Sequence, residues 1–223
     1  GGQGAALVGG ESVNAVFRSA LETMMREAAK GKPIIGANDN NIIANLDFFN
    51  NLFDQPRFIA IFRNPIDQGL SAWHHNLRLA REENDPRHSE LLTQCGDLAG
   101  WLRQSAHLFI QNVDRWRAFS EVRDNVYMLR YEDLVTRRIE ALRGIFSFLG
   151  ADTGDAILEK IASETDIGRM RSTSKNPGFF RSGSIEMGGE EITRQLRAEL
   201  SEMTADSMEK IGYRVDLGLP LRA

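Results

Sequence analysis

The segment Arg57–Asn76 (RFIAIFRNPIDQGLSAWHHN) constrains the fold more than any other part of the chain. Residues 57–62 contain β-branched and aromatic residues and no acid, which predicts a short, fully buried strand. Asn64 is a typical helix cap, and Pro65 suits the first helical position, so a helix is predicted to follow and to continue over Gln68–Ala80. The segment therefore predicts a strand that runs almost directly into a helix.

Arg63 lies at the junction of this strand and this helix. Unpaired amides at a helix N-terminus, the positive end of the helix dipole and a guanidinium group together favour an anion. Open parallel sheets bind ligands at the carboxyl ends of their strands, which is where this junction falls. We therefore predict an anion site here that includes Ser71 of the helix. The alternative is that Arg63 pairs with an acid and that Ser71 only allows close packing.

The order of the predicted elements indicates an α/β fold with parallel strands joined by helical crossovers. Two polar segments are predicted to be loops, Arg81–Gly96 around Pro86 and the long stretch Asp166–Gly189, and the first is a candidate lid over a ligand site. The three tryptophans fall at helical spacing and are expected in the core. The remaining predicted elements are helices over Ser12–Lys30, Ile42–Phe53, Leu98–Phe119, Glu140–Leu149, Asp155–Glu164 and Glu190–Ile211, and strands at Ile34-Ile35 and Asn125–Tyr131.

Composition limits the classes of protein that fit. A chain of 223 residues with 42% apolar residues can bury one α/β core, so we predict a single domain. The formal charge of −4 argues against a general nucleic-acid binder, and one cysteine, Cys95, excludes a disulfide framework. No apolar run approaches the roughly 20 residues needed to span a bilayer. We expect a cytoplasmic protein with no membrane span, no nucleic-acid partner and no metal.

Two further polar clusters can carry chemistry. Tyr131-Glu132-Asp133 follows a predicted buried strand, where an aromatic ring and two acids suit a nucleotide base or a network that holds the loop. The alternative is a helix cap provided by Asp133 or Thr136. Gly168–Gly183 contains four cations and no acid, which suits a phosphate, although a solvated loop would look the same.

Together these pieces resemble the PAPS-dependent sulfotransferase family, whose members use 3′-phosphoadenosine 5′-phosphosulfate. Arg63-Asn64-Pro65 is followed by Ser71 at the family's interval, and Tyr131-Glu132-Asp133 matches its later strand end. Phe179-Phe180-Arg181-Ser182-Gly183 resembles the loop that closes over the 3′-phosphate, and Ile211-Gly212-Tyr213 resembles the usual ending. The resemblance implies a mainly parallel central sheet flanked by helices, of the P-loop nucleotide-transferase type. It also implies transfer of a sulfuryl group from PAPS to a hydroxyl or amine, with release of PAP.

The resemblance also implies which residues bind the donor. Arg63 and Ser71 would bind the 3′-phosphate, Tyr131 would lie beside the adenine, and the same pocket would be completed by Arg181, the Gly183 amide, Thr165 and Ile167. The acceptor stays open among carbohydrate, lipid, peptide tyrosine and small phenol.

Two features of the family are not matched. Its 5′-phosphosulfate loop should precede Ser12, where GGQGAALVGG has no lysine, arginine, serine or threonine. We interpret residues 1–223 as a domain lacking its N-terminal strand and this loop, the alternative being a non-catalytic relative. The histidine that many members carry ahead of this segment is also missing, so Asp39 is the candidate general base, with Glu11 as a second choice, and the alternative for Asp39 is a turn residue. His74 or His75 is an option for a residue that faces the acceptor cleft, the alternative being a packed or exposed histidine. A P-loop kinase would need a GxxxxGK[S/T] motif that this sequence does not contain.

Overall fold

The structure is a computed structural model that describes residues 42–53, 55–82, 85–166, 168–169, 172, 191–214 and 219–220, together with residues 19, 23 and 27. Ser19, Thr23 and Glu27 have helical backbone, and the Thr23 hydroxyl donates to the Ser19 carbonyl oxygen at 2.8 Å. Both observations agree with the helix predicted over Ser12–Lys30. The rest of that helix and the strand predicted at Ile34-Ile35 lie outside the described residues.

The chain divides into two compact units, Gly1–Pro56 and Arg57–Ala223. In the first unit a 3₁₀ turn, Ile42–Asn45, leads into helix α1, Leu46–Leu52. These elements confirm the helix predicted over Ile42–Phe53. The single domain predicted over residues 1–223 stays a prediction.

The second unit contains a parallel strand pair and a series of helices. Strands β1 and β2 pair in parallel, with Phe58 opposite Val126 and Phe62 opposite Arg130. Three helices lie between them in the chain, which confirms the predicted parallel arrangement with a helical crossover. The elements are β1 (Phe58–Phe62), α2 (Pro65–Glu82), α3 (Pro86–Cys95), α4 (Leu98–Glu121), β2 (Val126–Arg130), α5 (Tyr131–Thr136), α6 (Arg138–Leu149), α7 (Asp155–Glu164), α8 (Arg194–Lys210), β3 (Tyr213–Arg214) and β4 (Leu219–Pro220), the last two forming an antiparallel pair.

Strand β1 is buried on one face only. Phe58, Ala60 and Phe62 are buried, and the last two pack against Phe109 and Val113 of α4. The side chain of Ile61 points the other way and is 55% exposed, so the prediction of a fully buried strand is wrong for that face. β-Branched side chains pack well on a pleated surface that is only half buried, so an apolar run does not require both faces to be covered.

Helices α2, α4 and α8 share a second part of the core, which confirms that the tryptophans serve packing. Trp101 of α4 is buried there, and its indole N–H donates to the Gly69 carbonyl oxygen of α2 at 2.8 Å. A Cβ atom on Gly69 would lie 2.8 Å from Cδ2 of Leu102, so the glycine allows the two helices to approach closely. This packing holds α2, and therefore its N-terminus, against the rest of the unit.

Helix α3 corrects the prediction of a mobile loop over Arg81–Gly96. Asp85 caps the helix by accepting the Arg87 N–H at 2.9 Å, and Pro86 occupies its first position. Gly96 ends it with φ of 77°, in the region that favours glycine. A proline in the interior of a helix would break it, but after a capping aspartate Pro86 marks a helix start.

The predicted loop over Asp166–Gly189 is also partly wrong. Gly168, Arg169 and Ser172 have helical backbone, and the Asp166 carboxylate accepts the N–H groups of Gly168 at 2.9 Å and Arg169 at 3.2 Å. An aspartate that accepts these amides caps a helical turn. Residues 173–190 lie outside the described residues, so the prediction stays untested there.

Candidate functional site

The site is built around the turn between β1 and α2, residues Arg63 and Asn64. The Asn64 side-chain oxygen accepts the N–H groups of Ile66 at 3.0 Å and Asp67 at 3.4 Å, while its carbonyl oxygen accepts the Gln68 N–H at 2.9 Å. Asn64 therefore caps α2 and Pro65 is its first residue, as predicted. The prediction that the first amides of this helix are unpaired is wrong, because these N–H groups already donate hydrogen bonds within the protein. An anion at this helix end would be met by side chains and by the helix dipole.

Arg63 lies against Tyr131 from the neighbouring strand end. The guanidinium carbon is 4.7 Å from the centroid of the tyrosine ring, a cation–π geometry. Both residues are partly buried, and Nε of Arg63 has almost no contact with solvent. Two residues that the sequence placed at separate strand ends are therefore in contact, because the two strands pair side by side.

Glu132 follows Tyr131 and is 1% exposed. One carboxylate oxygen accepts the Asn64 backbone N–H at 2.9 Å, and the other accepts the Tyr213 hydroxyl. The hydroxyl also lies 3.3 Å from the Phe62 carbonyl oxygen. Glu132 therefore belongs to a hydrogen-bond network that holds the turn, which is one of the roles that the sequence suggested for the acids after β2.

Asp133 completes the network on the other side. Its carboxylate accepts hydrogen bonds from Arg130 Nε at 2.8 Å, Arg130 Nη2 at 3.2 Å and Arg137 Nη2 at 2.7 Å. Burial by itself would raise the pKa of Asp133, but the hydrogen bonds from the two arginines outweigh it and lower that pKa below its usual range. Arg130 also donates through Nη1 to the Gly212 carbonyl oxygen, which attaches the end of the second unit to this network.

Ser71 lies in α2, partly buried, about 9 Å along the helix axis from Pro65 at the usual rise per residue. Thr165 directly follows α7 and is exposed, and its hydroxyl donates to the Ile161 carbonyl oxygen at 2.7 Å. The hydroxyl of Thr165 therefore caps its own helix. The other predicted site residues, Asp39, Ile167, Arg181 and Gly183, lie outside the described residues, as does Glu11.

The histidines of α2 and α3 have partners that no sequence pattern indicated. His74 Nε2 is 2.6 Å from a Glu191 carboxylate oxygen, and His88 Nδ1 is 2.6 Å from the side-chain oxygen of Asn76. The His74 partner is 117 positions away in the chain, so local patterns could not identify it. The option that His74 faces the acceptor cleft stays a prediction, and the structure shows this contact with Glu191 beside it.

The sequence did not identify the hydrogen-bond partners of Glu132 and Tyr213, although both residues belong to recognised motifs. The parallel pairing of the two strands could have indicated that Glu132 contacts Asn64, because residues beyond paired strand ends continue the same register.

Within the described ranges, no His, Cys, Asp or Glu side chains come together in a group of three or more that could hold a metal ion. Among the described helices we find none with the length and apolar content required to cross a membrane.

Comparisons with known proteins show which family the chain belongs to. The sequence model of the sulfotransferase family matches residues 10–155, more than half of the chain. The mouse sulfotransferase SULT7A1, whose crystal structure was determined in complex with PAP, aligns with a TM-score of 0.54 and 23% identity, over 77% of this chain and 63% of that one. The chain thus spans less than two thirds of that relative, and the likeness shows that it has the sulfotransferase α/β fold. No curated protein matches it. The match to the family model, together with the Arg63–Ser71 segment at the end of β1, shows that the chain belongs to the sulfotransferase family.

Proposed function

We propose that the protein transfers a sulfuryl group from PAPS to a hydroxyl or amine of an acceptor and releases PAP. The observation that carries the proposal is the contact between Arg63 and Tyr131 at the carboxyl ends of β1 and β2, with Ser71 on the helix that follows. A guanidinium group beside an aromatic ring suits a nucleotide that carries a phosphate near its base. Membership of the sulfotransferase family supports this choice of nucleotide.

The donor set fits the 3′-phosphate end of the nucleotide. Because the first amides of α2 are bonded to Asn64, the charge of the phosphate would be met by the Arg63 guanidinium and the Ser71 hydroxyl. Tyr131 would then lie beside the adenine. Arg181 and the Gly183 amide would complete the phosphate site, and Thr165 and Ile167 would line the pocket.

The chemical step follows from these roles. The acceptor oxygen or nitrogen forms a bond to sulfur while the bond between sulfur and the bridging phosphate oxygen breaks, and PAP leaves with that oxygen. Asp39 is the proposed base that takes the acceptor's proton. The residues around Arg63 hold the donor in place and do not touch the sulfur.

Titration calorimetry with PAP tests the donor site. We expect Arg63→Ala to weaken PAP binding by about 10- to 100-fold, since hydrogen bonds to charged groups contribute about 1.5–3 kcal/mol and 1.4 kcal/mol is tenfold. Ser71→Ala should weaken it by about three- to tenfold for the loss of one hydroxyl donor. Arg117→Ala is the matched control, because Arg117 lies on α4 in an exposed pair with Glu121. Unchanged binding in both site variants would show that this site is wrongly assigned.

Transfer of labelled sulfate from PAPS tests the activity itself. The acceptors to compare are phenols, carbohydrates, lipids with a free hydroxyl, and tyrosine peptides. If Asp39 is the base, Asp39→Asn should lower turnover while PAP affinity stays at the original value. A protein that binds PAP and sulfates none of these acceptor classes would contradict the proposed activity and support a non-catalytic role.

A further inference from the structure

Glu132 is a buried acid that the proposed reaction does not use. It is 1% exposed, and it takes its hydrogen bonds from two segments far apart in the chain, the Asn64 N–H and the Tyr213 hydroxyl. A carboxylate removed from water is costly unless its oxygens accept hydrogen bonds. Here each oxygen has a donor, so the acid is compatible with the core and joins two segments that are distant in the chain.

Tyr213 is the hydrogen donor in its contact with Glu132. Burial raises the pKa of the Tyr213 hydroxyl well above its usual range, and the charge of Glu132 raises it further. The hydroxyl therefore keeps its proton. Tyr213 is itself 1% exposed, and it is presented by Gly212, whose φ of 80° makes the turn after α8.

The contacts of Arg63 and Asn64 continue the register of the parallel strands. Phe62 of β1 lies opposite Arg130 of β2, and the next pairs are Arg63 with Tyr131 and Asn64 with Glu132. Two consecutive residues at the start of α5 thus contact two consecutive residues of the turn. One contact is to the Arg63 side chain and the other is to the Asn64 backbone.

We propose that Glu132 is a positioning residue of the donor site, and that it acts by fixing the backbone of the turn from which Arg63 extends. The Asn64 N–H belongs to the peptide bond that follows Arg63, so its hydrogen bond to Glu132 fixes the orientation of that peptide. Tyr213 in turn fixes the carboxylate. The inference rests on the proposed function, because it assumes that Arg63 binds the nucleotide's 3′-phosphate.

Two replacements of Glu132 separate its hydrogen bond from its volume. Glu132→Leu keeps a side chain of similar size and removes the acceptor, and we expect it to weaken PAP binding about tenfold, the effect of roughly one such hydrogen bond. Glu132→Gln retains one oxygen that can accept the Asn64 N–H, so it should recover most of that affinity. The measurement is calorimetry with PAP at a temperature where circular dichroism shows each variant fully folded.

Two tyrosine-to-phenylalanine variants provide a second test if the Glu132→Leu protein does not fold. Tyr213→Phe removes only the hydroxyl that holds the carboxylate, and we expect PAP binding to fall about threefold, at the lower end for one lost hydrogen bond. Tyr127→Phe is the same chemical change on β2, where the ring of Tyr127 stacks on Phe148, 5.5 Å between centroids, and it should bind PAP as the unaltered protein does.

The outcomes distinguish this inference from the proposed function. Loss of affinity in Glu132→Leu and Tyr213→Phe, with recovery in Glu132→Gln, supports a positioning role. Equal PAP binding by Glu132→Leu and Glu132→Gln, or by the two tyrosine variants, overturns it while Arg63→Ala still loses binding. If Arg63→Ala itself binds PAP normally, the donor site is wrong, and that failure concerns the proposed function.

Discussion

Replacing Asp133 with asparagine tests whether the acid after β2 stabilises the fold through its arginine partners. Asparagine has nearly the same size, but it carries no charge and turns an NH₂ group toward one of the guanidinium groups. The three hydrogen bonds that reach the Asp133 carboxylate would be weakened together. We therefore expect Asp133→Asn to lower the stability of the protein at neutral pH.

The expected magnitude follows from how far each partner is buried. The side chains of Arg130 and Asp133 are 14% and 12% exposed, so their two-point contact is shielded from water, whereas Arg137 is 45% exposed and contributes less. Breaking a fully buried ion pair costs about 3–5 kcal/mol and an exposed pair contributes at most about 1 kcal/mol. For this intermediate case we expect Asp133→Asn to lower the free energy of unfolding by about 2–3 kcal/mol, which corresponds to a decrease of about 5–10 °C in Tm for a chain of this size.

The stability difference should also depend on pH. The folded-state pKa of Asp133 lies below its usual value of 3.8, so the unfolded chain takes up the proton first as the pH falls. The contribution of the carboxylate is therefore complete well above pH 3.8 and is lost as the pH falls through the folded-state pKa. Thermal melts of both proteins followed by circular dichroism, at pH 7, 5 and 3, should give the same Tm difference at the two higher values and a smaller one at pH 3.

Asp114→Asn is the control for this experiment. Asp114 pairs with Lys210 at 2.9 Å, but the two side chains are 54% and 48% exposed, so the change should move Tm by less than about 4 °C. Equal Tm shifts for Asp133→Asn and Asp114→Asn would refute the argument from burial. A Tm difference for Asp133→Asn that is unchanged at pH 3 would refute the role of its charge.

Two further predictions concern the helices around the site. Gly69→Ala should destabilise the protein by about 1–3 kcal/mol, because the new Cβ would lie 2.8 Å from Cδ2 of Leu102. A urea melt followed by tryptophan fluorescence measures this loss of stability. An unchanged urea midpoint would mean that α2 and α4 are not in close contact at Gly69. Asp85→Ala should remove the cap of α3 at a cost of about 1 kcal/mol and speed hydrogen exchange of the Arg87 amide, which NMR detects. The same exchange rate in both proteins would contradict the helix start at Pro86.

The elements whose signals are local could be predicted from the sequence. Asn64 and Pro65 indicated the start of α2, and α7 was predicted with the bounds Asp155–Glu164 that the structure shows. Capping and helical periodicity depend on residues within about four positions of one another, so the sequence contains them directly. The error over α3 had the same local origin, since Pro86 marks either a break or a start and only the preceding Asp85 decides which.

The sequence by itself therefore determined the family, the strand–turn–helix segment and the cation that it presents. The tertiary structure decided how that segment is held. It showed that the first amides of α2 are already bonded and that Arg63 lies against Tyr131. It also showed that Glu132 joins Asn64, 68 positions away, to Tyr213, 81 positions away. The contacts of Arg63 and Asn64 follow from the register of two strands that are distant in sequence, and the contact of Tyr213 follows from the packing of the segment after α8 against β1.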